Sequence, residues 1–274
     1  MDLTTSAQER DFFDLHYSQF LKLPDHALRV DRQILESTFD DPAHPTYERR
    51  RLFRAAMQAL ETEPLLGKTV LDYGCGPGDM GIWMATEGAG VTLLDLSPAA
   101  IELVLRRARA SGVEVRGIAA DASRLDMLPD ASFDLVFASA ALHHTMKYPG
   151  AIEELARIMK PRARLLLCET WGGNPILGQA RILRARLSHE AEEQGEEIVM
   201  SWKVLRRLDS YFGEIQAAQQ NLLAMGKRLL RGRFEKAWAR GLVRGLETVD
   251  SALLAIAPPL RNWCGEAIIT ARRR

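Results

Sequence analysis

The sequence carries no excess of charge: 36 Lys and Arg residues stand against 36 Asp and Glu among 274 residues. Without a dominant sign there is no global field to gather nucleic acid or an anionic membrane surface. A small-molecule partner is the expectation, with no nucleic acid and no membrane. Cysteine is scarce. Cys75, Cys168 and Cys264 lie far apart with no paired spacing, which argues against a disulfide framework and against a cysteine metal site, and implies reduced thiols. No apolar run approaches the roughly 18 residues of a membrane-spanning helix. The stretch MDLTTSAQERDFFDLHY carries charges where an export signal would have its apolar segment. A soluble, cytoplasmic protein is therefore expected. Internal repeats and low-complexity segments are also lacking. What remains is a chain 47% apolar, able to bury one substantial core with appended segments.

The organisation changes near residue 68. Before it, Phe12, Phe13, Leu15 and Phe20, then Leu52, Phe53, Met57 and Leu60, recur at helical spacing around the turn-rich DDPAHPTY. Residues 1–67 read as a helical N-terminal arm or lid, and 68–274 as the main domain. From Thr69 onward short β-type runs alternate with helical ones: TVLDYG, VTLLDL, VEVRGIA, FDLVFAS and ARLLLCE, with helices from Asp79, over Pro98 to Ser111 and near Ala151 to Met159. That alternation predicts a parallel sheet covered on both faces. Ile101, Val104, Leu105 and Ala108 form the apolar stripe of the second helix. After Thr170 the pattern breaks, and 170–262 read as a mainly helical, substrate-capping insertion. It holds the acidic cluster Glu190, Glu192, Glu193, Glu196 and Glu197, and seven basic residues between Lys227 and Arg244 taken as a solvated helical face. EAIITA at Glu266 to Ala271 is a last strand able to close the sheet.

Three glycines, Gly74, Gly76 and Gly78, alternate directly behind the first strand and ahead of a helix. A residue without Cβ takes positive φ and lets a ligand lie against the backbone. In an open α/β sheet this loop lines the ligand crevice. A dinucleotide fingerprint requires a third glycine where this chain has Asp79, and an acid there would repel a pyrophosphate.

The pattern Asp72-Tyr73-Gly74-Cys75-Gly76-Pro77-Gly78 instead resembles the glycine motif of class I S-adenosylmethionine-dependent methyltransferases. Asp95, followed by Leu96, ends the second strand where that family binds both ribose hydroxyls. ADASRL places Asp121 at the position that contacts the adenine amine, with Ala122 offering a backbone amide. SFDLVFASAALHHT is similar to the fourth-strand motif and implies that Ala138, Ser139 and His143 adjoin the cofactor. ELARIMKPRARLLLCE is similar to the helix and fifth strand that follow, with Lys160-Pro161-Arg162-Ala163 in place of the usual Lys-Pro-Gly-Gly turn. Five motifs occur in order over about residues 44 to 176, and GGNP at Gly172 to Pro175 resembles the small-molecule branch. The resemblance implies a Rossmann-like, doubly wound, mostly parallel seven-stranded sheet, S-adenosylmethionine as cofactor, and methyl transfer to a small, apolar or aromatic metabolite. A nucleic-acid methyltransferase, a nucleotide-binding oxidoreductase and a catalytically silent cofactor-binding protein are the competing readings. A homo-oligomer is compatible with all of them.

Methyl transfer needs alignment above all, and a base only for a weak nucleophile. His144 and Glu169, at the ends of the fourth and fifth strands, are the candidates for proton removal. Either histidine of the His143-His144 pair also reads as a core or surface residue. Phe12, Phe13, Tyr17, Trp171 and Trp202 are the candidate pocket walls. No metal site is expected.

Overall fold

The computed structural model of the chain describes residues 6–175, 177–179 and 198–274. Among them, strands β1 Thr69–Tyr73, β2 Gly90–Asp95, β3 Arg116–Ala119, β4 Phe133–Ser139, β5 Met159–Thr170, β6 Phe212–Gln220 and β7 Glu266–Arg273 form one sheet. Their order is β3-β2-β1-β4-β5-β7-β6. β1 to β5 are parallel, and β7 runs antiparallel to both β5 and β6. The helices are α1 Ser6–Ser18, α2 Arg32–Asp40, α3 Arg50–Leu60, α4 Asp79–Thr86, α5 Pro98–Ala110, α6 Leu142–Thr145, α7 Ala151–Ile158, α8 Trp202–Leu205 and α9 Ala237–Ile256.

The strands are near-continuous apolar runs because both faces of the sheet are covered. Period two sorts their side chains into two cores. Leu166 and Cys168 of β5 join Val70 of β1 and Leu93 of β2 on one face, under α3 and α4. Leu165 and Leu167 join Leu71, Leu94 and Val136 on the other. A register slip of one residue would exchange the two sets, and each such Leu or Val contributes about 1.5–3 kcal/mol by burial.

The arm divides by chemistry. α3 buries Leu52, Ala56, Met57 and Leu60 in the first core. α1 buries nothing and is held by polar contacts. Asp14 Oδ1 accepts from Ser97 Oγ at 2.9 Å and from the Ala99 amide at 2.8 Å. Ser97 itself caps α5 by accepting from Ala100 N at 3.1 Å, as a serine before proline predicts. Asp14 thus adds an acid to a helix N-terminus and pins the arm over it.

Two differences from the sequence reading follow from tertiary context. β6 lies inside the segment read as mainly helical and is not among the six β-type runs. FGEIQAAQQ is rich in Gly, Ala and Gln, poor strand formers, and it pairs on one side alone, as the edge partner of β7. The basic stretch is a solvated face only in part: Arg233, Lys236 and Arg244 are exposed, but its first residues turn inward. Lys227 is 0% exposed and lies 3.7 Å from the Glu266 carboxylate, while Arg231 pairs with Glu48 at 2.9 Å. The acidic cluster from Glu190 to Glu197 lies outside the described residues. Where the family has a glycine turn, Arg162 takes φ 64°, so the turn is kept at the strain of a side chain in left-handed backbone. Among the described residues no helix is long and apolar enough to cross a membrane.

Candidate active site

Strand order reverses between β1 and β4, and the carboxyl ends of the strands there open into a cavity of about 570 Å³. That volume suits a small molecule, for which roughly 300–1,000 Å³ is usual. The glycine loop forms its floor. Gly74 (φ 67°) and Gly76 (φ 52°) line it. A Cβ at Gly74 would strike Ala141 Cβ at 2.4 Å, and one at Gly76 would meet the Tyr17 hydroxyl at 2.8 Å. Gly78 does different work. It precedes α4 at φ 75°, away from the cavity, and a Cβ there would lie 2.6 Å from Val104 Cγ1. It is a packing glycine between the loop and α5.

Carboxylates crowd this end. Asp95 Oδ2 accepts from the Gly76 amide at 2.8 Å and Oδ1 from the Ser97 amide at 2.9 Å. The carboxylate itself lines the cavity. Burial pushes the Asp95 carboxyl up against those backbone bonds. Asp72, fully enclosed beneath the loop, is pushed up to about 8 by burial, opposed by a bond from the Gly81 amide and reinforced by Asp95 and Asp79. Burial also raises Asp121, but the Ser123 backbone and hydroxyl outweigh it and the net direction is downward. Cys75, buried in the same loop, is raised by burial and by Asp95 and Asp72; it stays a neutral thiol.

Leu96, Ala122 and Ser139 line the cavity, whereas Ala138 points into the core. The Tyr73 hydroxyl lies 2.7 Å from the Ala122 carbonyl and 2.6 Å from Thr145 Oγ1, tying the loop after β3 to α6.

The two histidines of α6 separate once the helix places them. His143 lines the cavity, and its Nδ1 lies 2.8 Å from Glu169 Oε2. A carboxylate accepts, so this bond assigns the proton to Nδ1 and the lone pair to Nε2. Glu169 is 1% exposed and does not itself line the cavity, which corrects the expectation that it faces the crevice. His144 lines the cavity too, but its Nδ1 is 3.8 Å from Glu9 of α1. Glu9 also meets Lys147 at 3.3 Å. His144 is part of a latch that holds the arm.

Of the expected walls, Phe13 and Tyr17 line the cavity, with their rings stacked at 6.1 Å. Phe12 packs edge-on against Phe13 outside it. Trp171 is 1% exposed in the second core, edge-on to Trp202 at 5.6 Å, and neither reaches the cavity. Large apolar rings after a strand end are drawn to the core unless the site excludes them. Sequence reasoning missed Arg49, Phe53, Tyr148, Arg228 and Arg231, all of which line the cavity. None belongs to a short motif, so no local signal marks them.

Comparison with known proteins decides what the cavity belongs to. Residues 70–162 match the family model described as a methyltransferase domain. The malonyl-[acyl-carrier protein] O-methyltransferase of Pseudescherichia vulneris is 31% identical over 209 residues, 70% of this chain and 81% of that protein. The chain belongs to the class I S-adenosylmethionine-dependent methyltransferases. The demethylmenaquinone methyltransferase of Thermus thermophilus is 36% identical over 118 residues, and the match spans only about half of that relative, 52%. The fold agrees with the magnesium protoporphyrin IX methyltransferase of Synechocystis PCC 6803, solved with bound SAH. The TM-score is 0.55 at 15% identity, over 98% of this chain and 100% of that one.

The cavity of this methyltransferase fits the family's cofactor. S-adenosylmethionine brings an ammonium, a sulfonium, a carboxylate and two ribose hydroxyls; the glycine-loop end offers acids and bare backbone, and the same cavity is lined by Arg49, Arg228 and Arg231. Asp95 offers its carboxylate oxygens to hydroxyls, Asp121 supplies negative charge, Asp72 gains charge where a bound cation expels its proton, and Gly74 and Gly76 leave room against the main chain. A phosphate-bearing dinucleotide would meet those same acids as repulsion, which disposes of the oxidoreductase reading.

Proposed function

We propose that the protein transfers a methyl group to a small-molecule acceptor and that His143 Nε2 takes the acceptor's proton. The observation that carries this reading is the His143–Glu169 bond of 2.8 Å at the cavity wall. The cofactor supplies an activated methyl carbon. The chain's residues supply orientation, exclusion of water and a sink for one proton. Glu169 holds the imidazole in one tautomer and stabilises the cation formed when Nε2 is protonated, the role a buried carboxylate plays behind any histidine base. Phe13, Tyr17, Phe53 and Tyr148 give the cavity aromatic walls, which supports an acceptor with an apolar or aromatic body. Relatives named for demethylmenaquinone and 27-O-demethylrifamycin SV support a small acceptor rather than nucleic acid.

The test begins with calorimetric binding of S-adenosylmethionine and continues with methyl-labelled cofactor against a panel of phenols, hydroxyquinones and hydroxy acids. With any acceptor so found, His143→Ala lowers the single-turnover rate by about two to four orders of magnitude at unchanged cofactor affinity. Glu169→Gln follows it, because an amide donating to Nδ1 moves the ring proton to Nε2. Full rates in both variants would remove the base from the reading and leave alignment alone, and failure to bind the cofactor would end it.

A further inference from the structure

Among the described residues α9 is the longest helix, and most of its apolar bulk faces outward. It buries only Ala239, Val243, Asp250 and Leu254. Its larger side chains are left in solvent: Trp238 is 54% exposed, Leu242 49%, Val249 46% and Ile256 84%. Gly245 and Ala252 are exposed with them, and a Cβ at Gly245 would meet open space. From Trp238 to Ile256 these six residues follow one another at intervals of four, three, four, three and four. That is the spacing of the two seam positions of a coiled coil. Leu242, Val249 and Ile256 hold one seam position, and Trp238, Gly245 and Ala252 hold the other.

Charge is kept off the stripe. Arg240 donates to the Phe234 and Glu235 carbonyls, Glu247 meets Arg50 at 2.5 Å, and buried Asp250 accepts from the amides of Leu222, Leu223 and Ala224. Arg244 is exposed, but one residue before Gly245 it lies about 100° round the helix axis. On its open side the stripe is bordered by Gly241, Thr248 and Ala255, all exposed and uncharged. A lipid surface is held through Lys and Arg along such a border, and a charged protein partner through charge of the opposite sign. Neither finds its counterpart here, whereas a second copy brings no like charges together.

We propose that this face of α9 pairs with the same face of a second copy of the chain, antiparallel and about a two-fold axis near Glu247. In that register Leu242 faces the second copy's Ala252, and Val249 faces the second copy's Gly245, a large residue against a small one in each layer. Ile256 packs on the second copy's Trp238 at both ends, where the buried ring anchors the contact. The same patch serves both copies, as a two-fold interface requires. A parallel pair would instead set Gly245 on Gly245 and Ala252 on Ala252 and leave voids between them. One face of a helix about 30 Å long is smaller than the roughly 800 Å² per partner of a standard interface, so the dimer is weak and reversible. It also braces the cavity from outside. Ala239 and Val243 on the inner face of α9 pack with Tyr47 and Leu230, next in sequence to the cavity-lining Glu48 and Arg231.

The experiment is sedimentation velocity of the full chain from about 1 to 200 μM, the range in which a micromolar dimer dissociates. The expected result is a monomer that converts to dimer as concentration rises. Leu242→Glu and Ile256→Glu, at exposed positions, should each raise the dissociation constant by about tenfold or more while leaving thermal unfolding of the monomer unchanged. Cysteine pairing fixes the register, since Cys75, Cys168 and Cys264 are buried. Chains with Leu242→Cys mixed with chains with Ala252→Cys should oxidise to the mixed disulfide in preference to either homodimeric one. A monomer at every concentration overturns the proposal, as does a dimer that survives both glutamate substitutions. Preferential homodimeric disulfides overturn the antiparallel register. A monomer that co-sediments with phosphatidylglycerol vesicles gives the face to a membrane surface and overturns it too. None of these readouts depends on cofactor or acceptor, so failure of the methyl-transfer reading leaves the proposal standing, and the reverse.

Discussion

The two ends of the cavity are built from opposite materials. At one, Asp72, Asp95 and Asp121 arrive within fifty residues of one another, each carried by the end of a parallel strand and each fixed by bonds to its own loop or the next. At the other, Glu48 meets Arg228 and Arg231 across about 180 residues of chain, and Arg49 meets Glu266 across more than 200, through side chains alone. A cavity end made of strand ends and backbone amides is set by the sheet itself. A cavity end made of an arm and a crossing turn can be rebuilt without touching the sheet. Two ends so constructed respond differently to mutation.

Asp95→Ala probes the backbone-made end and should have the largest effect. It removes the carboxylate proposed to accept from the two ribose hydroxyls and, with it, the bonds that hold the Gly76 and Ser97 amides. Cofactor binding should weaken by about 2–4 kcal/mol by calorimetry, with the far-ultraviolet dichroism spectrum intact. Unchanged affinity would mean that the acidic end is not the cofactor end.

The glycines sharpen the comparison within the loop. Gly78→Ala forces a methyl to within 2.6 Å of Val104 Cγ1 at φ 75°, so it should cost about 1–3 kcal/mol in urea unfolding. Gly76→Ala meets only the mobile end of Tyr17, at 2.8 Å, and should cost less stability while loosening α1. If Gly76→Ala proved the more destabilising of the two, the assignment of Gly78 to packing and Gly76 to the cavity would be reversed.

Taken per pH unit, the smallest effect is a pH slope. Asp72, pushed up to about 8 by burial, lies above its value in an unfolded chain, so the native state holds an extra proton between about pH 4 and 8. Stability assigned to this group is therefore fully present below that window and falls across it, by at most about 1.4 kcal/mol per unit. A cation beside Asp72 expels the proton, so S-adenosylmethionine should bind more tightly as pH rises toward 8, by up to about tenfold per unit. Calorimetry in buffers of different ionisation enthalpy measures the released proton. Asp72→Asn should flatten both dependences, leaving the lesser part that Asp95 contributes through its own upward shift. A slope that survives Asp72→Asn unaltered would place the proton elsewhere.

Much of the backbone-made end was legible in the primary structure. β1, β2 and β4 were read from apolar runs, because strand, turn and helix are specified by neighbours within a few residues, and Asp95 and Asp121 were singled out through the resemblance of their motifs to the family's. The pair His143 and Glu169 was half legible. Both residues stood out, but two adjacent histidines differ only in which way a single turn of helix points them, and α6 sends His143 to Glu169 and His144 to Glu9. Trp171 and Trp202 were misplaced for a related reason: a large ring near a strand end suits a wall or a core equally, and here the second core took Trp171 while Trp202 packs edge-on against it, 43% exposed.

By itself, then, the amino-acid sequence determined the alternation of strands and helices, the bare glycine loop, the acids that follow three strands, and through them the methyltransferase family. Those features rest on local backbone preference and on apolar period, which act over short stretches of chain. Only the tertiary structure decided which histidine Glu169 holds, that Gly78 packs while Gly76 faces the cavity, that FGEIQAAQQ becomes an edge strand, and that Arg49, Arg228 and Arg231 line the same cavity as the acids. Each of these depends on side chains brought together across tens to hundreds of residues, where burial and contact have no counterpart in the one-dimensional pattern.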